Sequence, residues 1–90
     1  SFNASSGSAS IDGQTIELRS KEIQLLDLFA RRLDRIITRE DIVSHTYSFD
    51  GNPSLNAIEQ QVARLRKKLE GSSLIIKTVR GMGYLAHVRD

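Results

Sequence analysis

The spacing of apolar residues between Leu55 and Leu69 constrains this chain most, because it predicts an amphipathic helix with one buried stripe. The stripe consists of Leu55, Ile58, Val62, Leu65 and Leu69. Gly71 is expected to end this helix, and two strands, 74–79 and 84–88, then surround a turn with two more glycines. The chain must therefore pack a helix and a β-hairpin against one core.

Two further helices are predicted upstream. Ser20 is the predicted N-cap of the first helix. Its apolar face is expected to contain Ile23, Leu25, Leu26, Leu28, Phe29, Ala30 and Leu33. Thr38 is the predicted N-cap of the second helix, since Asp41 follows three residues later and completes a capping box. That short helix is expected to continue as far as Thr46.

The helix from Leu55 and the residues before position 20 complete the predicted architecture. Asn52 or Ser54 is expected to cap the third helix, with Pro53 near its first position. Alternation on either side of Asp12-Gly13 predicts a two-residue hairpin. Residues 1–7 are read as a partial N-terminal strand or a disordered segment. The fold class is α+β: a winged helix-turn-helix over 8–90, with a short N-terminal antiparallel sheet, three helices and a C-terminal β-hairpin wing.

Charge is distributed unevenly along the chain. Up to Asn52 there are six basic and eight acidic residues, a net charge of −2, whereas the remainder has seven basic and three acidic residues, a net charge of +4. The polar side of the third helix combines amide and cationic side chains, which suit base edges and phosphates: Asn56, Gln60, Arg64 and Lys67, flanked by Arg66 and Lys68. The hairpin adds Lys77 and Arg80. This half of the chain is expected to face an anionic partner, although a solvated, salt-bridged helix surface would have the same composition.

Composition excludes several classes of function. The chain has no cysteine, so thiolate metal sites are excluded, and neither His45 nor His87 has an acid partner or ligand pattern nearby in the sequence. No apolar run is long enough to span a bilayer. No catalytic motif is recognisable, and neither a cofactor nor a metal is expected. Because Met82 is the only methionine, the chain is expected to be a piece of a longer protein.

Two motifs near the C-terminus give the chain a family resemblance. Leu65-Arg66-Lys67-Lys68-Leu69, followed by Ile76-Lys77-Thr78-Val79-Arg80-Gly81-Met82-Gly83-Tyr84, resembles the effector domain of OmpR/PhoB-type response regulators of bacterial two-component systems. Upstream matches at Ile16-Glu17-Leu18, Lys21-Glu22, Leu25-Leu26 and Arg39-Glu40 occur in family order. Tyr47-Ser48-Phe49-Asp50 and Asn56-Ala57-Ile58-Glu59 look most like the subgroup that contains PmrA and QseB.

The resemblance implies sequence-specific binding to double-stranded DNA, with the third helix in the major groove and a wing arginine in the minor groove. It implies a receiver domain, absent from this chain, that is phosphorylated and dimerises so that two effector domains occupy direct-repeat half-sites. The chain alone is then expected to be a monomer in the bacterial cytoplasm, with no membrane partner. The leading strands of the family's N-terminal sheet are expected to be incomplete here.

The resemblance also assigns roles to individual residues. The predicted DNA-binding set is Asn56, Gln60, Gln61, Arg64, Arg66, Lys67, Lys77, Thr78, Arg80 and Tyr84. Within it, Arg64 is expected at bases, Arg66 and Lys67 at phosphates, and Arg80 in the minor groove. Thr78 and Tyr84 occupy positions that touch the DNA backbone or pack the wing.

The third helix, which is the family's recognition helix, departs from the family pattern at two places. Gln60-Gln61 replaces a common valine-histidine pair, and Ala57 replaces a threonine that often binds phosphate. Sequence preference is therefore expected to differ, because the amide of Gln60 can pair with adenine N6 and N7. A solvated glutamine is the alternative.

The loop between the second and third helices is a region that contacts RNA polymerase in the family. Phe49 and Asp50 are the candidate contacts, although Phe49 would equally suit the helix junction. A winged-helix protein-protein interaction module is the competing functional class, because a fold does not determine a function. It is disfavoured because the polar face of the third helix has no apolar or aromatic anchor.

Overall fold

The computed structural model describes residues 2–5, 7–47 and 51–89. Its elements in chain order are β1 (Phe2–Ser5), β2 (Ser8–Ile11), β3 (Gln14–Glu17), α1 (Ser20–Arg31), β4 (Ile36–Ile37), α2 (Arg39–Thr46), α3 (Leu55–Lys68), β5 (Leu74–Val79) and β6 (Gly83–Val88). An antiparallel sheet, three helices and a terminal hairpin therefore follow one another as the sequence predicts, which confirms the α+β winged-helix fold.

The N-terminal sheet has the strand order β1-β2-β3, and both strand pairs are antiparallel. Asp12 and Gly13 form the turn between β2 and β3, both with positive φ, 54° and 79°. This is the geometry that a two-residue hairpin requires, so the predicted turn is confirmed. Residues 1–7, for which the sequence left two alternatives, contain β1, whose Phe2 lies opposite Ile11 of β2.

The C-terminal sheet contains a strand that the sequence did not predict. Its order is β4-β6-β5, and Ile37 of the two-residue strand β4 lies opposite Tyr84 of β6. Gly83 permits this pairing, because a Cβ atom at this residue would lie 2.1 Å from the carbonyl oxygen of Ile37. The hairpin β5–β6 thus joins the segment between α1 and α2, which fixes it to the body of the domain.

The helix caps confirm two predictions. Thr38 Oγ1 accepts a hydrogen bond from the Asp41 backbone N–H at 3.1 Å, and the Asp41 carboxylate accepts one from the Thr38 N–H at 3.0 Å. This is the predicted capping box of α2. Ser54 caps α3 by accepting from the Ala57 N–H at 3.1 Å, so Ser54 rather than Asn52 is the N-cap.

Two other predictions about helix starts were wrong. Arg19, not Ser20, is the N-cap residue of α1, and its backbone N–H donates to the Glu22 carboxylate at 2.8 Å. Glu22, the third residue of the helix, thus accepts from the backbone N–H of the N-cap residue, whereas a Ser20 cap would have accepted from an N–H inside the first turn. Pro53 precedes the N-cap Ser54 and therefore lies outside α3.

The core lies between α1, α3 and the two sheets. Leu25, Leu26 and Phe29 of α1 are at most 1% exposed, and Ile58, Val62 and Leu65 of α3 pack into the same cluster. Two residues predicted on the apolar faces are exposed instead: Leu33 at 37% and Leu55 at 50%. Leu33 follows the end of α1, and Leu55 lies in the first turn of α3, before the helix is covered.

Candidate nucleic-acid interface

The polar side of α3 presents one continuous exposed surface. Asn56, Gln60, Arg64 and Lys67 are all exposed, and we call this set the outward face. At about 100° per residue they fall within roughly 40° of one direction on the helix, opposite the buried stripe. Within the described part of the chain, the side chains of Arg64 and Lys67 have no hydrogen-bond or ion-pair partner. Their charges therefore remain available to an external anion.

The last turn of α3 is held to the rest of the domain on one flank by Lys68. Its ammonium donates to the carboxylate of Glu22 at 2.6 Å, and Glu22 is only 1% exposed. Burial by itself would raise the pKa of Glu22, but the hydrogen bond from the Arg19 N–H and the adjacent Lys68 ammonium outweigh it and hold the pKa below its ordinary value. Glu22 is thus an anion that anchors both α1 and α3.

The opposite flank of the same turn is held by Arg66. Its Nε donates to the Ile76 carbonyl oxygen at 3.0 Å, and its Nη2 donates to Thr78 Oγ1 at 3.1 Å. Both acceptors lie on β5, one of the two edge strands of the C-terminal sheet. We call this pair of hydrogen bonds the wing link, because it joins α3 to the hairpin.

The turn at the tip of the hairpin carries an exposed cation. The Met82 N–H donates to the Val79 carbonyl at 3.0 Å and closes a four-residue turn. Gly81 has φ +77° in its third position, which is a conformation that glycine adopts without strain. Arg80 is exposed in this turn, and Lys77 is exposed on β5. Two cations of the predicted set therefore lie on the wing.

Three groups of predicted site residues differ from this surface pattern. Gln61 is half-buried beside the outward face. Tyr84 is 5% exposed and belongs to the hydrophobic core, which favours the packing role among the two that the resemblance allows. Phe49 and Asp50, the candidate polymerase contacts, lie outside the described residues.

Both histidines make contacts that their sequence neighbourhood did not indicate. His87 Nδ1 lies 3.1 Å from the carboxylate of Asp34, which is 53 positions away in the chain and thus gives His87 an acid partner. His45 Nδ1 lies 2.8 Å from the Asp41 carbonyl, one turn earlier in α2. Among the described residues, no group of three or more His, Cys, Asp or Glu side chains is arranged to hold a metal ion. No helix in that part of the chain is long and apolar enough to cross a membrane.

Sequence reasoning missed the roles of Glu22 and of Arg66 as intramolecular partners. Glu22 occupies the third position of α1, where an acid often accepts from the N-cap backbone, and that spacing was the available signal. No local signal exists for the wing link, because Arg66 and Thr78 are 12 residues apart on different elements.

This combination of fold and surface defines a class: a winged helix-turn-helix with a cationic recognition helix. Residues 13–86 match the family model described as "Transcriptional regulatory protein, C terminal". The chain belongs to this family, the winged-helix effector domains of OmpR/PhoB-type response regulators. The identity is 34% with the cell cycle response regulator CtrA of Brucella anthropi, over 98% of this chain and 39% of that protein. The chain therefore spans little more than a third of the length of such curated relatives.

Solved structures of related domains have the same fold. The DNA-binding domain of CpxR from Escherichia coli superimposes with a TM-score of 0.77 at 34% identity, covering 94% of this chain and 86% of that one. The RstA DNA-binding domain of Klebsiella pneumoniae, solved in complex with the RstA box, gives a TM-score of 0.73 at 26% identity, covering 89% and 82%. These matches confirm the resemblance to OmpR/PhoB-type effector domains, whereas the PmrA/QseB subgroup stays a prediction.

Proposed function

We propose that this chain is the sequence-specific, double-stranded DNA-binding effector domain of a bacterial two-component response regulator that controls transcription. The outward face of α3 enters the major groove, and Arg80 of the wing enters the minor groove. The observation that carries the proposal is the outward face itself, where amide and cationic side chains are exposed on a helix whose other side is buried. The RstA domain bound to its box supplies a precedent in the same family.

The residues of this surface divide into two roles. Arg64 and Gln60 read base edges, because guanidinium and amide groups make bidentate hydrogen bonds to guanine and adenine. Lys67 and Lys77 neutralise phosphates, which positions the domain without selecting a sequence. Asn56 and Gln61 flank the base-reading residues Gln60 and Arg64 on α3. No catalytic step is assigned to the domain.

The whole protein has further expected properties. A receiver domain, phosphorylated on aspartate, dimerises and places two effector domains on direct-repeat half-sites, about one helical turn apart. This chain alone is a monomer that binds more weakly than the linked pair. The protein acts in the cytoplasm, and the loop with Phe49 and Asp50 contacts RNA polymerase.

Selection from a randomised duplex pool tests the proposal. The domain is bound at low salt, the retained DNA is sequenced, and Arg64→Ala and Arg80→Ala are compared with the unchanged domain. A repeated motif that weakens with both substitutions is expected. Arg31→Ala is the matched control, because Arg31 is an exposed arginine on α1 that pairs locally with Asp27. Absence of enrichment at low salt would refute sequence-specific binding by this domain and favour a protein-interaction module.

The salt dependence of affinity provides a second test. If about four or five cations engage phosphates, with Lys67 and Lys77 among them, log Kd should change with log salt with a slope near 4 in magnitude, at about 0.9 per phosphate. Lys67→Ala should lower that magnitude by about 1. A slope near zero would exclude phosphate neutralisation as the main source of affinity.

A further inference from the structure

We infer that Arg66 is a positioning residue that fixes the orientation of the wing relative to α3. This inference deepens the proposed function, since it assigns the mechanism by which the two DNA-contacting elements act together. It revises the expected role of Arg66, which was that of a free phosphate contact.

The geometry separates Arg66 from the outward face. At about 100° per residue, Arg66 lies roughly 100° around the helix from Lys67, on the side that faces β5. Two of its five guanidinium N–H groups are directed at β5, one to the Ile76 carbonyl and one to Thr78 Oγ1. Arg64 and Lys67, by contrast, have no such partner in the described residues.

The wing link has two acceptors, the Ile76 carbonyl and the Thr78 hydroxyl, and two hydrogen bonds restrain β5 more than one would. Ile76 is 3% exposed, so its backbone belongs to the body of the domain, whereas Thr78 is exposed and lies two residues before Arg80. The planar guanidinium of Arg66 donates to both the Ile76 carbonyl and the Thr78 hydroxyl, and it therefore fixes the direction of β5 between these two residues. Because β5 is an edge strand, one of its two sides has no neighbouring strand to restrain it.

The opposite flank of α3 is fixed as well. Residues 66 and 68 lie roughly 200° apart on the helix, and Lys68 binds the buried Glu22 of α1. The last turn of α3 is therefore anchored on both sides. Through Arg66, this anchored turn also restrains the orientation of the wing relative to α3. Arg64 in one groove and Arg80 in the other can then contact a single duplex without a separate ordering step for the wing.

Lysine substitution distinguishes a positioning residue from a phosphate contact. Arg66→Lys keeps the positive charge but loses the fork that reaches Ile76 and Thr78 together. A phosphate contact would tolerate this change, since lysine also binds phosphate as a point charge. A positioning residue would not, and Thr78→Val, which removes only the acceptor hydroxyl, should act in the same direction.

The first experiment is a double-mutant cycle on DNA affinity. If Arg80→Ala alone weakens binding about tenfold or more, as expected for a lost charge-assisted hydrogen bond, it should weaken the Arg66→Lys variant less than about threefold. Arg64→Lys with Arg80→Ala is the matched cycle, and its two costs should simply multiply. Near-wild-type affinity of Arg66→Lys, or multiplicative costs with Arg80→Ala, would overturn the inference.

The second experiment needs no DNA and therefore separates the two proposals. ¹⁵N relaxation of the Gly81 and Gly83 amides should show a more mobile wing in Arg66→Lys and Thr78→Val, while amides of α1 stay unchanged. Unchanged wing relaxation in both variants would overturn the positioning role. If the unchanged domain selects no DNA but its wing still loosens in these variants, the proposed function fails and the positioning role stands.

Discussion

The ammonium of Lys68 lies 2.6 Å from the carboxylate of Glu22, which is 1% exposed, so an ion pair closes the contact between the start of α1 and the end of α3. The same carboxylate accepts from the Arg19 backbone N–H. One buried anion thereby satisfies a helix N-terminus and fixes the helix that we propose to bind DNA.

Glu22→Ala should lower the free energy of unfolding by about 2 kcal/mol or more, because it leaves the Arg19 N–H and Lys68 without their acceptor. Glu22→Gln keeps a carbonyl acceptor for the Arg19 N–H and should cost less. Urea denaturation monitored by circular dichroism measures both changes. Equal stability of Glu22→Ala and the unchanged domain would show that the pair contributes nothing net to folding.

Stability should fall in acid partly through Glu22. Its pKa is held below the ordinary value of 4.5, so the pair contributes fully above that pH and its contribution is lost as pH falls through the lowered pKa. Asp41 has a lowered pKa because it accepts from the Thr38 N–H, and it acts in the same direction. The unfolding free energy of Glu22→Gln should therefore depend less on pH below about 4.5. Parallel profiles for the two proteins would contradict this assignment.

Gly83→Ala should be far more destabilising than Gly81→Ala, although both glycines have positive φ. At Gly83 a Cβ atom would lie 2.1 Å from the Ile37 carbonyl oxygen, whereas nothing lies within 4 Å of one at Gly81. Overlap plus backbone strain should cost about 3 kcal/mol or more at Gly83, and strain alone about 1 kcal/mol at Gly81. Thermal unfolding of the two variants compares them directly, and similar midpoints would argue against the close β4–β6 approach.

Gln60→Ala tests base reading by the outward face. The binding free energy should weaken by about 1 to 3 kcal/mol on duplexes that carry the A·T pair contacted by Gln60. It should change little on duplexes in which that pair is replaced. Competition between duplexes that differ at single positions measures the effect. A uniform loss on every duplex would instead assign Gln60 to general contacts, and no loss would leave it a solvated side chain.

Much of the fold was predictable because its signals are local. The hairpin at Asp12-Gly13, the capping box of Thr38 and the buried stripe from Ile58 are each set by residues a few positions apart, whose backbone conformation or helical spacing needs no distant partner. The outward face followed from the same periodicity, since residues opposite a buried stripe must face away from the core.

What the tertiary structure decided depends on residues far apart in the chain. Strand β4 exists because Ile36 and Ile37 meet β6, two residues having too little sequence signal of their own. The buried Glu22 pairs with Lys68, which lies 46 positions later, and the exposed Arg66 donates to acceptors on β5, a different element. The sequence alone therefore determined the three helices, the two hairpins β2–β3 and β5–β6, and which helical face is polar. Only the packing of the elements decided which charged side chains of α3 bind within the domain and which remain exposed for a partner. That choice depends on distances between elements, whereas the sequence shows only the spacing of residues along one element.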